Sequence, residues 1–252
     1  MADQERHLHE RHFQFEQVFN FRDMGGYAAG DGQRVRWRRL LRTAEHHRMT
    51  EEEAAGFQQD VGLKTVIDFR AVGEDDHRLE PGPLVGSGVT RHQFGMGDPK
   101  SKYKAREAGT WIPGFAGMLD SGAKQWVSAI EVLSHEDAYP AIFHCVTGKD
   151  RTGVFGALVL DLLGVENDVI VDDYGLSQLG MDEMIASMRS RGIMTDDEPV
   201  NPAVGVVPSA MQEMLDALHS RFGSAREYFS GLGVDVATLD RVTELLLEPA
   251  SA

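Results

Sequence analysis

One stretch constrains this chain more than any other: Pro140-Ala141-Ile142-Phe143-His144-Cys145-Val146-Thr147-Gly148-Lys149-Asp150-Arg151-Thr152-Gly153, which holds its only cysteine. The apolar run Ala141 to Phe143 is short enough for a buried strand. Val154 to Leu163 reads as a buried helix closed by Gly164. The cysteine therefore falls on a loop between a strand and a helix.

A cysteine, five residues and an arginine, closing on a helix start, make a cradle for one tetrahedral anion. The backbone N–H groups of Val146, Thr147, Gly148, Lys149, Asp150 and Arg151 can line it, and a helix N-terminus adds partial positive charge. Gly148 permits a turn that a side chain blocks. Arg151 offers a planar fork that matches two phosphate oxygens. The same surroundings favour the thiolate of Cys145 over the thiol. A thiolate beneath a bound phosphoryl group is placed for in-line attack, giving a covalent intermediate that water then hydrolyses. The plainer alternative, a buried structural cysteine, accounts for none of the neighbouring residue types.

The string His-Cys-x-x-Gly-Lys-Asp-Arg-Thr-Gly resembles the signature of the cysteine-dependent protein tyrosine phosphatases. More narrowly, it resembles the microbial tyrosine/serine phosphatase group, which includes mycobacterial and Listeria enzymes. Asn20-Phe21-Arg22-Asp23-Met24-Gly25-Gly26-Tyr27 is similar to that group's N-terminal motif. Val66-Ile67-Asp68-Phe69-Arg70, with Glu74 and Pro81, is similar to its second motif, and Asp173-Tyr174-x-Leu176-Ser177 and Gly223-Ser224-x-x-x-Tyr228-Phe229 to its C-terminal ones. The resemblance spans roughly 13–247. It implies an α/β fold, with a central, mainly parallel sheet flanked by helices and the phosphate-binding loop between a strand and a helix. It also implies hydrolysis of phosphotyrosine, with dual specificity toward phosphoserine and phosphothreonine or action on phosphoinositides as extensions, and no cofactor or metal.

Composition narrows the alternatives. A formal net charge of −15 opposes general nucleic-acid binding, though not a local anion site. One cysteine leaves no internal disulfide. Met1 to His12 is a charged leader with no apolar core, so no secretory signal is expected and the location reads as cytoplasmic, with export by another route open. No run approaches 18 apolar residues, so no transmembrane segment is expected. Residues 13–252 carry no repeat or linker and read as one domain. His7, His9 and His12 lack the scaffold of a metal site and read as solvated. The oligomeric state is not legible.

Along the chain, Gly25-Gly26 and Gly30-Asp31-Gly32 mark turns, the second a hairpin tip. Arg22 and Asp23 read either as an ion pair bracing the first turn or, through the resemblance, as neighbours of the active site. Arg34, Arg36 and Arg38 alternate, followed by Arg39 and Arg42; they read as a solvated strand edge or as a docking surface for anionic substrates. Thr50 to Glu53 is a capping box opening a helix to about Asp60, closed by Gly62. Leu63 to Phe69 reads as a second buried strand, which puts Asp68 near the cradle if the strand runs parallel to that of Cys145. Glu74 to Gly88 reads as a loop and Val89 to Phe94 as a strand. Gly95 to Gly122, including Trp111-Ile112-Pro113, reads as a mobile helical lid. Helices are expected over 123–135, 165–179, 181–191, 209–222 and 239–247, and the stripe Met211, Met214, Leu215, Leu218 as core.

Phosphoester hydrolysis needs a general acid at the leaving oxygen. Asp150 in the cradle and Asp68 on the strand compete for that role, and spacing does not decide between them. His144 is expected to orient the loop or tune the thiolate, and the Thr152 hydroxyl to hydrogen-bond Cys145. Lys149 reads as a contact for a more anionic substrate or as a solvent-exposed lysine. Arsenate reduction lacks the further cysteines it needs, and a nucleotide P-loop fails because Phe143 and Asp150 stand where Gly and Ser or Thr are required. A non-catalytic phosphate-binding module is the rival from outside enzymology.

Overall fold

The computed structural model describes residues 10–71, 81–86, 88–97 and 114–250. In chain order its strands are β1 (Arg22–Asp23), β2 (Ala28–Ala29), β3 (Gln33–Val35), β4 (Leu40–Thr43), β5 (Thr65–Asp68), β6 (Thr90–Gln93), β7 (Ala141–His144) and β8 (Leu247–Pro249). Its helices are α1 (Glu51–Val61), α2 (Phe115–Ser121), α3 (Ala123–Leu133), α4 (Asp150–Leu162), α5 (Asn167–Gly175), α6 (Ser177–Ser190), α7 (Pro208–Phe222), α8 (Ala225–Gly231) and α9 (Val236–Leu246).

The main sheet has the order β1-β4-β7-β5-β6. β4, β7, β5 and β6 run parallel and β1 closes one edge antiparallel. Strands β4, β7 and β5 are buried at every position, as parallel strands covered on both faces must be. Their alternation splits the core in two. Leu41, Val66 and Ile142 face α1, packing with Phe57 and the N-terminal ring of Phe21. Leu40, Ile67, Ala141 and Phe143 face the larger core with Trp126, Phe155 and the α7 stripe Met211, Met214, Leu215 and Leu218. α4 is buried nearly all round, which explains its lack of a polar face.

Register decides where the chemistry sits. Thr43 lies opposite His144, His144 opposite Asp68, and Asp68 opposite Gln93. The parallel strands thus end in one row, and the Cys145 loop leaves from the middle of it. Binding crevices of open α/β sheets form at that edge.

Several expectations need correction. The helix expected over 165–179 ends at Gly175, and Gly180 lies inside α6 instead of breaking it. A Cβ on Gly180 would come 2.6 Å from the Asn20 Cα, so this glycine serves close packing. Leu247, assigned to the last helix, begins β8, which joins β2 and β3 in a second sheet. The lid reading fails for its described part: Phe115 and Leu119 of α2 are buried in the core, and Phe115 packs edge-on against Tyr174. Trp111, Ile112 and Pro113 lie outside the described residues, as do Glu74, His7 and His9. The leader is not wholly peripheral, since Arg11 is buried, donates to the carbonyls of Asp23 and Gly25, and stacks on Tyr27. His12 bridges to the Arg22 backbone. Among the described residues no helix is long and apolar enough to cross a membrane.

The alternating arginines are not a bare surface. Arg34 pairs with Glu248 at 2.9 Å, Arg36 donates to the Leu247 carbonyl, and Arg38 pairs with Asp60 at 2.7 Å. Arg39 lies over the Tyr139 ring. They tie the second sheet and α1 to the body, so the docking reading lacks its free cations.

Candidate active site

Cys145 directly follows β7 and is buried at the base of the loop that leads into α4. Gly148 has φ +64°, and a Cβ there would sit 2.4 Å from the Thr43 carbonyl oxygen. Only glycine fits that turn. Donors outside the loop then take its carbonyls in succession. The Glu45 amide donates to Val146 O at 2.9 Å, Asn20 Nδ2 to Thr147 O at 3.1 Å and Gly148 O at 2.8 Å, and Arg42 Nη2 to Gly148 O at 3.0 Å. Within a trans peptide the N–H points opposite the C=O. The amides of Thr147, Gly148 and Lys149 therefore turn to the other, concave side. That is an anion nest made by outward-held carbonyls.

Arg151 stands in the first turn of α4 and is buried. Its Nη1 donates to Phe69 O at 2.9 Å and to Met96 O at 3.2 Å, so the guanidinium is steered from the row of strand ends. Asp150 is the first residue of α4, its side chain is 15% exposed, and its Oδ1 lies 3.7 Å from Lys149 Nζ. It keeps access to solvent at the rim of the loop.

Asp68 is a different kind of carboxylate. Fully buried, it accepts from Arg70 Nη2 at 2.7 Å and Arg91 Nη2 at 2.5 Å, and from the Arg70 amide at 2.9 Å. Burial pushes this carboxyl up, but His144 and Arg70 outweigh burial and leave it well below the usual carboxylate range. His144 Nε2 lies 3.6 Å from Asp68, and its Nδ1–H donates to the Cys145 carbonyl at 3.0 Å. Burial lowers the His144 pKa to about 4 against the pull of Asp68. His144 is thus neutral at pH 7, and the two guanidiniums keep Asp68 ionised there. Such a pairing favours the ionised carboxylate.

This gives a stability prediction. The depressed folded-state pKa of Asp68 stabilises the fold fully above the ordinary aspartate value of about 3.9, and that contribution is lost as pH falls below it. Asp68→Asn takes the carboxylate from the buried guanidinium of Arg70 and the partly exposed one of Arg91 and should cost about 3–5 kcal/mol at pH 7. Urea unfolding between pH 7 and pH 3 should show a shallower acid decline in the variant. An unchanged stability at pH 7 would contradict this assignment.

Two expectations about the loop fail. Lys149 is buried and does not face solvent: its Nζ donates to the carbonyls of Ala203 at 2.7 Å, Val204 at 3.3 Å and Gly205 at 3.0 Å. The Thr152 hydroxyl is buried without a hydrogen-bond partner among the described residues, so the expected bond to Cys145 is not formed. Arg22 and Asp23 do not pair either. As neighbours on β1 they point to opposite sides. Asp23 braces the turn by accepting from the amides of Gly25 at 2.7 Å and Arg38 at 2.6 Å. Arg22 runs under the loop to Asp173.

Sequence reasoning placed Asn20 and Asp173 in motifs and Arg42 in a run of arginines, but missed that the three together hold the loop. An arginine inside the apolar run Leu40-Leu41-Arg42-Thr43 was the available signal, because a buried charge on a parallel strand needs a purpose.

A lone thiol at the floor of an amide-lined loop, at the carboxyl edge of a parallel sheet, defines a cysteine-based phosphatase. Residues 13–248 match the model of the tyrosine phosphatase family, and the chain belongs to that family. A tyrosine-protein phosphatase of Nostoc commune is 26% identical over 207 residues, covering 77% of this chain and 69% of its own. The triple specificity protein phosphatase PtpB of Mycobacterium tuberculosis is 30% identical over 121 residues, 43% of this chain and 44% of its own. A crystal structure of P. aeruginosa TpbA in complex with pTyr superposes with a TM-score of 0.37 at 16% identity, covering 76% of this chain and 96% of that one.

Proposed function

We propose that this chain hydrolyses phosphotyrosine in proteins through a phosphocysteine intermediate carried on Cys145. The thiolate attacks phosphorus, the S–P bond forms and the bond to the tyrosyl oxygen breaks. The loop amides and Arg151 hold the three peripheral oxygens, whose charge rises in the transition state. Asp150 gives its proton to the departing oxygen, then takes one from the water that attacks the phosphocysteine, which returns the thiolate. Asp68 fixes Arg70 and Arg91 beside His144, and His144 orients the Cys145 carbonyl.

The observation that carries this reading is the outward tying of three successive loop carbonyls, which turns consecutive amides toward the space above Cys145. The name of the mycobacterial relative, a triple specificity protein phosphatase, supports a substrate class wider than phosphotyrosine. The Lys149 ammonium, engaged on carbonyls, adds no support to the phosphoinositide alternative.

Lys149→Met should therefore leave KM for an inositol phosphate within about two-fold of wild type, while hydrogen exchange quickens around residues 202–205. A selective rise in KM for polyanionic substrates would reinstate lysine as a substrate contact. The reading as a whole is tested by hydrolysis of matched phosphotyrosine, phosphoserine and phosphoinositide substrates. Cleavage of the phosphotyrosine peptide is expected, and its absence would overturn the reading.

A further inference from the structure

Beneath the loop lies a buried cluster of charge that the reaction scheme does not use. Arg22 Nε is 3.1 Å from Asp173 Oδ1, and Arg42 Nη1 is 2.7 Å from Asp173 Oδ2. Tyr27 and Ser177 complete the cluster. The Tyr27 hydroxyl donates to Asp173 at 2.9 Å, and the Ser177 oxygen accepts from Arg22. All three charged side chains are at most 2% exposed. Two guanidiniums share one carboxylate, so the cluster carries a net single positive charge.

Both cations reach the cradle. Arg42 donates directly to Gly148 O, while Arg22 donates to Asn20 Oδ1, and Asn20 passes on to the carbonyls of Thr147 and Gly148. Neutral donors could have tied those carbonyls, as Asn20 does. An extra buried cation is costly unless an anion lies near it. On the remaining sides of Cys145 stand Arg151, Asp150 at the rim, Lys149 on its carbonyls, the neutral His144 and His46, Tyr174, and Asp68 held between Arg70 and Arg91. Arg11 is engaged on carbonyls beyond Tyr27.

We propose that Arg42 and Arg22 are positioning residues that store a net positive charge behind the loop, keeping Cys145 ionised and drawing phosphate into the cradle. Burial and Arg22 lower the Arg42 pKa to about 10, with Asp173, Tyr27 and Cys145 holding it up, so the cation persists at pH 7. The inference rests on the catalytic reading above and explains why the motif arginine on β1 and the arginine on β4 converge on one aspartate.

The test is the pH dependence of Cys145 alkylation by iodoacetamide, together with competitive inhibition by inorganic phosphate. Arg42→Gln and Arg22→Gln each remove one charge and should raise the alkylation midpoint by about one pH unit and weaken phosphate inhibition about ten-fold. Arg42→Lys keeps the charge and should hold the midpoint. Asn20→Gly loses two hydrogen bonds to the loop without changing charge, suits the positive φ of residue 20, and should move the midpoint less than either glutamine variant. An unchanged midpoint in a folded glutamine variant overturns the proposal. So does an equal rise in Asn20→Gly, which would assign the effect to loop geometry; if neither glutamine variant folds, Asp173→Asn decides, because it raises the cluster's net positive charge and must lower the midpoint. Alkylation needs no turnover. Full phosphatase activity after complete alkylation would instead sink the nucleophile assignment, leaving the charge test readable.

Discussion

Cys145→Ser should lower kcat on a phosphotyrosine peptide by at least about 10⁴-fold while phosphate still binds. The physical reason is selective. The loop amides, the α4 N-terminus and Arg151 stabilise an anion, which a thiol becomes readily near neutral pH and a serine hydroxyl does not. None of those donors is touched by the substitution, and a hydroxyl is smaller than a thiol, so the cradle keeps its shape. Titration calorimetry with inorganic phosphate should return an affinity within about ten-fold of wild type, beside a kcat near background. Residual turnover above a few per cent would mean that another group attacks phosphorus.

The second large effect is at Asp150. Asp150→Asn should reduce kcat by about 10²–10⁴-fold for a substrate with a poor leaving group. The loss should shrink sharply for an activated aryl phosphate, whose leaving oxygen departs without a proton. A structural role would lower all substrates alike. Asp68→Asn provides the contrast: destabilised, but with no change in leaving-group dependence. The two aspartates were inseparable by spacing. The proposed scheme favours Asp150 because Asp68 lies between two guanidiniums while the Asp150 side chain is partly exposed.

What the sequence made legible follows the range of the interactions involved. The strand, loop and helix around Cys145 are contiguous, so periodicity and glycine placement revealed them. The capping box of α1 is equally local, with Thr50 and Glu53 bonded reciprocally. The parallel pairing of β5 with β7 stood only as a condition on the placing of Asp68, and the structure meets it. The network under the loop was not legible, because Arg42 and Asp173 are 131 residues apart and Asn20 and Gly148 are 128 apart. No spacing rule links such pairs. Gly180 was misread for another reason: a helix break and a close backbone approach both demand glycine, and only the Asn20 contact tells them apart. Lys149 was misjudged because a lysine in an anion loop reads as a ligand until the three carbonyls around it are seen.

The central claim is that the phosphoryl group passes through Cys145. Rapid quenching during turnover of a phosphotyrosine peptide, followed by mass analysis of the peptide containing Cys145, tests it most directly. A phosphoryl adduct mapped to Cys145 that forms and decays at a rate consistent with kcat is the predicted result. Steady turnover with no phosphoryl group on Cys145 at any quench time would contradict the account, because water would then attack the substrate directly.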